Sequence, residues 1–246
     1  MKQIIKYWLS QPPYLDSVKR KAKRTRYLLF DGTYLNKKAC VLALIDDTFN
    51  TVLNITYGKG EKYEICHWIF KELQERFYLH PLAITVDGNT NVMRAAQTVW
   101  PEIIIQRCLV HIQRQGLSWL RMKPKLESSK ALRLIYLEVT KVKTFADKEL
   151  FIRKFQDWVS CYGQSVDKLD KTHKVYSDLQ RAKSLLIHAL PEMFHYLEDR
   201  NIPPTTNKME GFFSRLKEQY RKHRGLRREN RANYFAWYWY YLSKNY

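Results

Sequence analysis

The chain has 246 residues, 45% of them hydrophobic and 27% charged, with eight Gly and eight Pro. That composition supports a packed core and excludes a disordered, collagen-like or low-complexity chain. Forty-three Lys and Arg against 24 Asp and Glu leave a net charge of +19. A surface that basic suits a polyanion, whose counterions are released on binding, so nucleic acid is the expected partner.

No apolar run approaches the roughly 18 residues that a membrane span needs, and no membrane partner is expected. Ile4-Ile5 and Tyr7-Trp8-Leu9, interrupted by Lys6, are too short for a signal peptide. Cys40, Cys66, Cys108 and Cys161 are scattered and form no C-x-x-C pair, which argues for reduced thiols and a cytoplasmic location. Residues 1–26 carry eight Lys and Arg against Asp16 alone and read as a basic leader.

After the leader the pattern turns to strands. Tyr27-Leu28-Leu29-Phe30 runs into Asp31-Gly32-Thr33, and Ala39 to Ile45 is a second apolar run ending at Asp46-Asp47. Thr51 to Tyr57 is rich in β-branched residues and closes at Gly58 and Gly60. With turns at Leu35-Asn36-Lys37 and Asp47 to Asn50, these predict an antiparallel meander. Residues 61–77 switch to helical spacing, with Ile65, Trp68, Ile69, Leu73 and Phe77 on one face. Leu82 to Val86 predicts a buried strand ending at Asp87-Gly88-Asn89, Asn91 to Val99 a helix, and Ile103 to Ile105 a further strand leading through Cys108 into another helix.

The resulting order, β-β-β-α-β-α-β-α, is the ribonuclease H-like arrangement: an α/β fold with a mixed five-stranded sheet. From about residue 118 strand patterns vanish, and an all-helical insertion is expected before a last helix at 206–224, stopped by Gly225. The expected organisation is a leader (1–26), the first part of the core (27–117), the insertion (118–204), and a catalytic helix plus C-terminal aromatic helix (205–246). In the aromatic helix, expected over residues 230–243, Tyr234, Trp237, Tyr238 and Tyr241 mark the stripe expected to face the core.

Asp31 and Asp87 follow the first and fourth strands, which are neighbours in this topology. Ligands bind beyond the carboxyl ends of parallel strands. Paired carboxylates suit Mg²⁺ or Mn²⁺, and two such ions about 3.5–4 Å apart clamp an in-line phosphoryl displacement. Either Asp-Gly could equally be a turn signal. Glu210 heads a helical stripe with Ser214, Lys217, Arg221 and Arg224, but Asn207-x-x-Glu210 also reads as a capping box, and position alone leaves both readings open. Arg221, Arg224, Arg227 and Arg228 would follow phosphates, as Lys217 would from the same stripe.

Together, Phe30-Asp31-Gly32-Thr33, Val86-Asp87-Gly88, Cys108-Leu109-Val110-His111 and Thr205-Thr206-Asn207-x-x-Glu210-Gly211-Phe212 resemble the DDE transposases of bacterial insertion sequences. Among these the resemblance is to the Mutator-like superfamily, with its Asp, Asp, Cys-x-x-His, Glu pattern and its helical insertion before the glutamate. It implies that Asp31, Asp87 and Glu210 hold two divalent ions, Mg²⁺ or Mn²⁺, that nick transposon ends and drive strand transfer into target DNA. It also implies that Cys108 and His111 position DNA, that a homodimer pairs two ends, and that the protein works at the bacterial nucleoid. A catalytically inactive DNA-binding descendant and a ribonuclease H-like nuclease are the alternatives. The resemblance would also imply an N-terminal DNA-binding module, which the 30 residues before Asp31 are expected to be too few to form.

Overall fold

Five strands build one sheet in the order β3-β2-β1-β4-β5: β1 (Tyr27–Asn36), β2 (Ala39–Asp46), β3 (Thr51–Gly58), β4 (Ala83–Val86) and β5 (Ile104–Arg107). The structure is a computed structural model and describes residues 7–11, 13, 24–36, 39–223 and 225–244. Most of the expected basic leader, Lys37 of the first turn, and Arg224 lie outside the described residues. β1 pairs antiparallel with β2 and parallel with β4, and β2 pairs antiparallel with β3. The sheet is therefore mixed and the fold is α/β, as the element order predicts.

Every residue of β2 and β4 is buried, the signature of strands covered on both faces. That continuity has a consequence for β1. Its pairing runs past Phe30, with Asp31, Gly32 and Thr33 opposite Ala43, Leu42 and Val41. Asp31-Gly32 is thus not a turn and Asp31 does not end the strand, contrary to the expectation from sequence. The buried β2 run needs a hydrogen-bonding partner along its length, and β1 stays extended to supply it.

The described chain forms two compact units, Met1–Ile105 with Asn201–Tyr246, and Gln106–Arg200. In the first, α1 (Tyr63–Phe77) buries Cys66, Ile69, Phe70, Leu73 and Phe77. Trp68, placed on that face by spacing, is 54% exposed; Cys66 and Phe70 take its place. The helix ends at Tyr78 in the left-handed region, whose N–H donates to the Leu73 carbonyl. α2 (Thr90–Val99) is capped by Asn89 and packs on α1. α7 (Asn207–Arg221) buries Met209, Phe212, Phe213 and Leu216 and packs against β1. α8 (Arg231–Lys244) packs on β3 through Phe235, stacked on Tyr57 at 5.6 Å, and Trp239, whose Nε1 donates to the Val52 carbonyl at 2.9 Å. Its buried stripe is therefore turned by about one residue from the expected one, and Tyr241 is exposed.

The second unit holds α3 (Leu109–Leu120), α4 (Glu127–Glu138), α5 (Phe145–Asp167) and α6 (Lys174–Ala189), and no strand follows β5 among its described residues. α3, expected to belong with the sheet, packs on α4 and α6. Tyr136, wholly buried, lies against Gly116 of α3, where a Cβ would collide with its ring, and donates from its hydroxyl to the Ala182 carbonyl at 2.7 Å. No helix among the described residues is long and apolar enough to cross a membrane.

Candidate active site

The β1–β4 pairing runs Tyr27 to Ala83, Leu28 to Ile84 and Leu29 to Thr85. Asp31 and Asp87 each come two residues after the last of these pairs, so they share one register where the parallel ladder ends. A strand's side chains repeat every second residue, so Asp31 projects to the same face of β1 as Leu29. Each carboxylate is held by a backbone amide: Gly32 N donates to Asp31 Oδ1, and Asn89 N to Asp87 Oδ1, both at 2.8 Å. Gly88, at φ +96°, lets the chain fold back for the second bond.

A third carboxylate reaches this region from an unexpected element. Glu61, in the loop between β3 and α1, accepts from Asn89 Nδ2 at 2.9 Å. Neither residue stands out in the sequence, because a Glu after Gly60 and an Asn after Asp87-Gly88 look like ordinary loop residues. Cys40 on β2 lies among these charges. Burial first, then Glu61 and Asp31, pushes its thiol up to about 12, while Lys217 pulls the other way. Cys66 is pushed up to about 12 by burial and then Glu61. Both thiols stay protonated at neutral pH and supply no thiolate.

Glu210 lies on the first turn of α7 and is exposed. The helix starts at Asn207, after Thr206, with no side-chain cap. Glu210 is therefore the fourth helical residue, one too far for the capping box the sequence allows. Asp31 and Asp87 present only oxygen, as a hard divalent cation requires. Among the described residues, however, no three His, Cys, Asp or Glu side chains form an ion-holding group, so Glu210 is not gathered with the two aspartates into one.

The predicted cations divide. Lys217 and Arg221 line, with Tyr34, Asn36, Tyr220 and Arg231, a cavity of about 350 Å³ at the C-terminal end of β1. Arg231, which stands in no predicted stripe, also lines it; its guanidinium is hydrogen-bonded to Tyr57, while its Nε is buried without an acceptor. Arg227 and Arg228 are exposed, Arg227 lying 3.6 Å from Glu229. Cys108 and His111 belong to the helical unit: Cys108 is buried at the N-cap of α3, and His111 is half-buried one turn on.

Together these features define an α/β protein that presents paired carboxylates where a parallel ladder ends, beside a cationic helix face. Residues 27–224 match the family described as "Transposase, Mutator family", and the chain belongs to that family. It is 30% identical over 107 residues, 43% of this chain, to the transposase for insertion sequence element ISRM3 of Rhizobium meliloti (strain 1021). It is 25% identical over 117 residues, 47% of this chain, to a "probable transposase for insertion sequence element" of Corynebacterium diphtheriae. The matches span 27% and 34% of those relatives' own lengths.

Proposed function

We infer that this chain is a transposase catalytic core, of ribonuclease H-like fold with a helical insertion, that nicks DNA at element ends and joins them to target DNA. The observation that carries this reading is the shared register of Asp31 and Asp87 where the β1–β4 ladder ends. The two aspartates would hold Mg²⁺ or Mn²⁺, and Glu210, carried on a helix packed against β1 but not gathered with them among the described residues, would have to close on the pair to complete the set for two ions. When bound, such ions neutralise phosphoryl charge and make water or a 3′-hydroxyl a better nucleophile.

The chain's own residues supply position. The Gly32 and Asn89 amides orient the carboxylates. Lys217 and Arg221, together with Arg231, would seat backbone phosphates beside them, with Arg227 and Arg228 extending the track. Arg224 belongs to the same expected row. Cys108 and His111 are carried over as DNA-positioning residues, and a homodimer at the nucleoid is expected to pair the two ends.

A second reading is a transposase-derived DNA-binding protein that cuts nothing. The observation favouring it is that no three-acid group is assembled among the described residues. The test is incubation with element-end DNA and Mg²⁺ or Mn²⁺, beside Asp31→Asn, Asp87→Asn and Glu210→Gln. Each variant is expected to lose about a hundredfold or more in nicking while still binding DNA, the equivalent of roughly 3 kcal/mol in the barrier. Equal products from all four proteins refute the assignment. Binding without products favours the second reading, and nicks without joined products indicate a nuclease.

A further inference from the structure

Glu61 bridges the two segments that carry the aspartates. Its Oε2 accepts from Asn89 Nδ2 at 2.9 Å, and Asn89 spends its other polar groups locally. Asn89 Oδ1 accepts from Asn91 N at 3.0 Å and caps α2, while its backbone N–H donates to Asp87 Oδ1 at 2.8 Å. On the other side Glu61 Oε1 lies over Gly32, where an added Cβ would stand 2.5 Å from it. The same Gly32 donates its N–H to Asp31. One carboxylate thus meets both residues whose amides hold the aspartates.

The donors and acceptors leave little freedom. An ionised glutamate only accepts, so it takes the NH₂ end of the Asn89 amide and leaves the oxygen end for the helix cap. Aspartate at position 89 could still cap α2 and present the backbone N–H, but it has no hydrogen for Glu61. Glutamine at position 61 keeps an acceptor oxygen and loses the charge.

We propose that Glu61 is a positioning residue that acts through Asn89 to hold the Asp87 carboxylate beside Asp31. This role rests on the reading of the two aspartates as cation ligands. It concerns the geometry of Asp87 rather than a further ligand, as in other metal sites whose outer partners orient the inner ones.

The test uses the whole chain, with Mn²⁺ alone as probe followed by electron paramagnetic resonance, and exchange of the Asn89 amide followed by NMR. Glu61→Ala is expected to speed that exchange about tenfold and to raise half-saturating Mn²⁺ about tenfold. Glu61→Gln, keeping the acceptor, stays within about twofold of the parent in both. Asn89→Asp speeds the exchange likewise; because its added charge itself biases Mn²⁺ uptake, the exchange readout alone decides the matter should Glu61→Ala not fold. Unchanged Asn89 exchange in both Glu61→Ala and Asn89→Asp overturns the proposal, as does a Glu61→Gln effect as large as that of Glu61→Ala, which would assign the role to charge. If neither the parent nor Asp87→Asn takes up Mn²⁺, the ligand reading of the aspartates fails, while the exchange comparison still decides on Glu61.

Discussion

Asp31 and Asp87 come from segments 56 positions apart in sequence, yet each stands two residues past the Leu29–Thr85 pair that ends the β1–β4 ladder. The match is a consequence of parallel pairing: one register, set by buried Leu28, Leu29 and Ile84, carries both acids to the same level. If the two aspartates work as one unit, their losses do not add. The double variant Asp31→Asn/Asp87→Asn is expected to nick no more slowly than the worse single variant, whereas independent sites would multiply. Single-turnover nicking rates distinguish the two.

Gly32 is required by space rather than by backbone conformation. A methyl group there would approach Glu61 Oε1 to 2.5 Å and Leu42 Cδ2 to 2.9 Å, and Leu42 is wholly buried. Gly32→Ala should lower stability by about 1–3 kcal/mol, the usual cost of overpacking. Urea denaturation measures it, and an unchanged midpoint would show that Glu61 yields freely.

In the helical unit Gly116 faces the ring of Tyr136, and the two are locked further by the Tyr136 hydroxyl bond to Ala182. Gly116→Ala gains helix propensity but drives a methyl into a ring with no exposed side. A net loss of about 1–3 kcal/mol is expected, read as a lower thermal midpoint. Tyr136→Phe keeps the ring and removes one buried hydrogen bond, so its loss should be nearer about 1 kcal/mol.

Asp147 closes a capping box with Thr144 at the start of α5. Its carboxyl is held below the ordinary value, chiefly by the Lys143 amide and then by Thr144. A lowered carboxyl contributes stability above the unfolded-state value of about 4 and loses it as pH falls through the lower folded value. Thermal midpoints of the parent and Asp147→Asn should therefore differ at neutral pH and converge on acidification. Parallel curves across that range would contradict the cap's role.

The basic face of α7 should be felt in salt dependence. Lys217→Ala and Arg221→Ala are each expected to reduce the slope of log K against log salt by about 0.9 on duplex DNA, with little change in sequence preference. Binding titrations from 50 to 200 mM salt test this, and an unchanged slope would remove that residue from the phosphate track.

Strand and helix order was legible from the chain alone because hydrophobic periodicity is local: an unbroken run as short as Ala39 to Ile45, bounded by turn signals, fits a covered strand, and the spacing of Ile69 and Leu73 puts them on one helix face. The two aspartates were legible for the same reason, as polar residues after buried runs. Tertiary structure decided what periodicity cannot reach. The need of β2 for a partner kept β1 extended through Asp31; Phe235 and Trp239, rather than the tyrosine stripe, met β3; and Thr206 took the N-cap position of α7, leaving Asn207 as its first helical residue. The Glu61–Asn89 bond joins loops 28 positions apart. No spacing rule anticipates such a bond, because it exists only once the sheet has brought the ends of β3 and β4 to the same side.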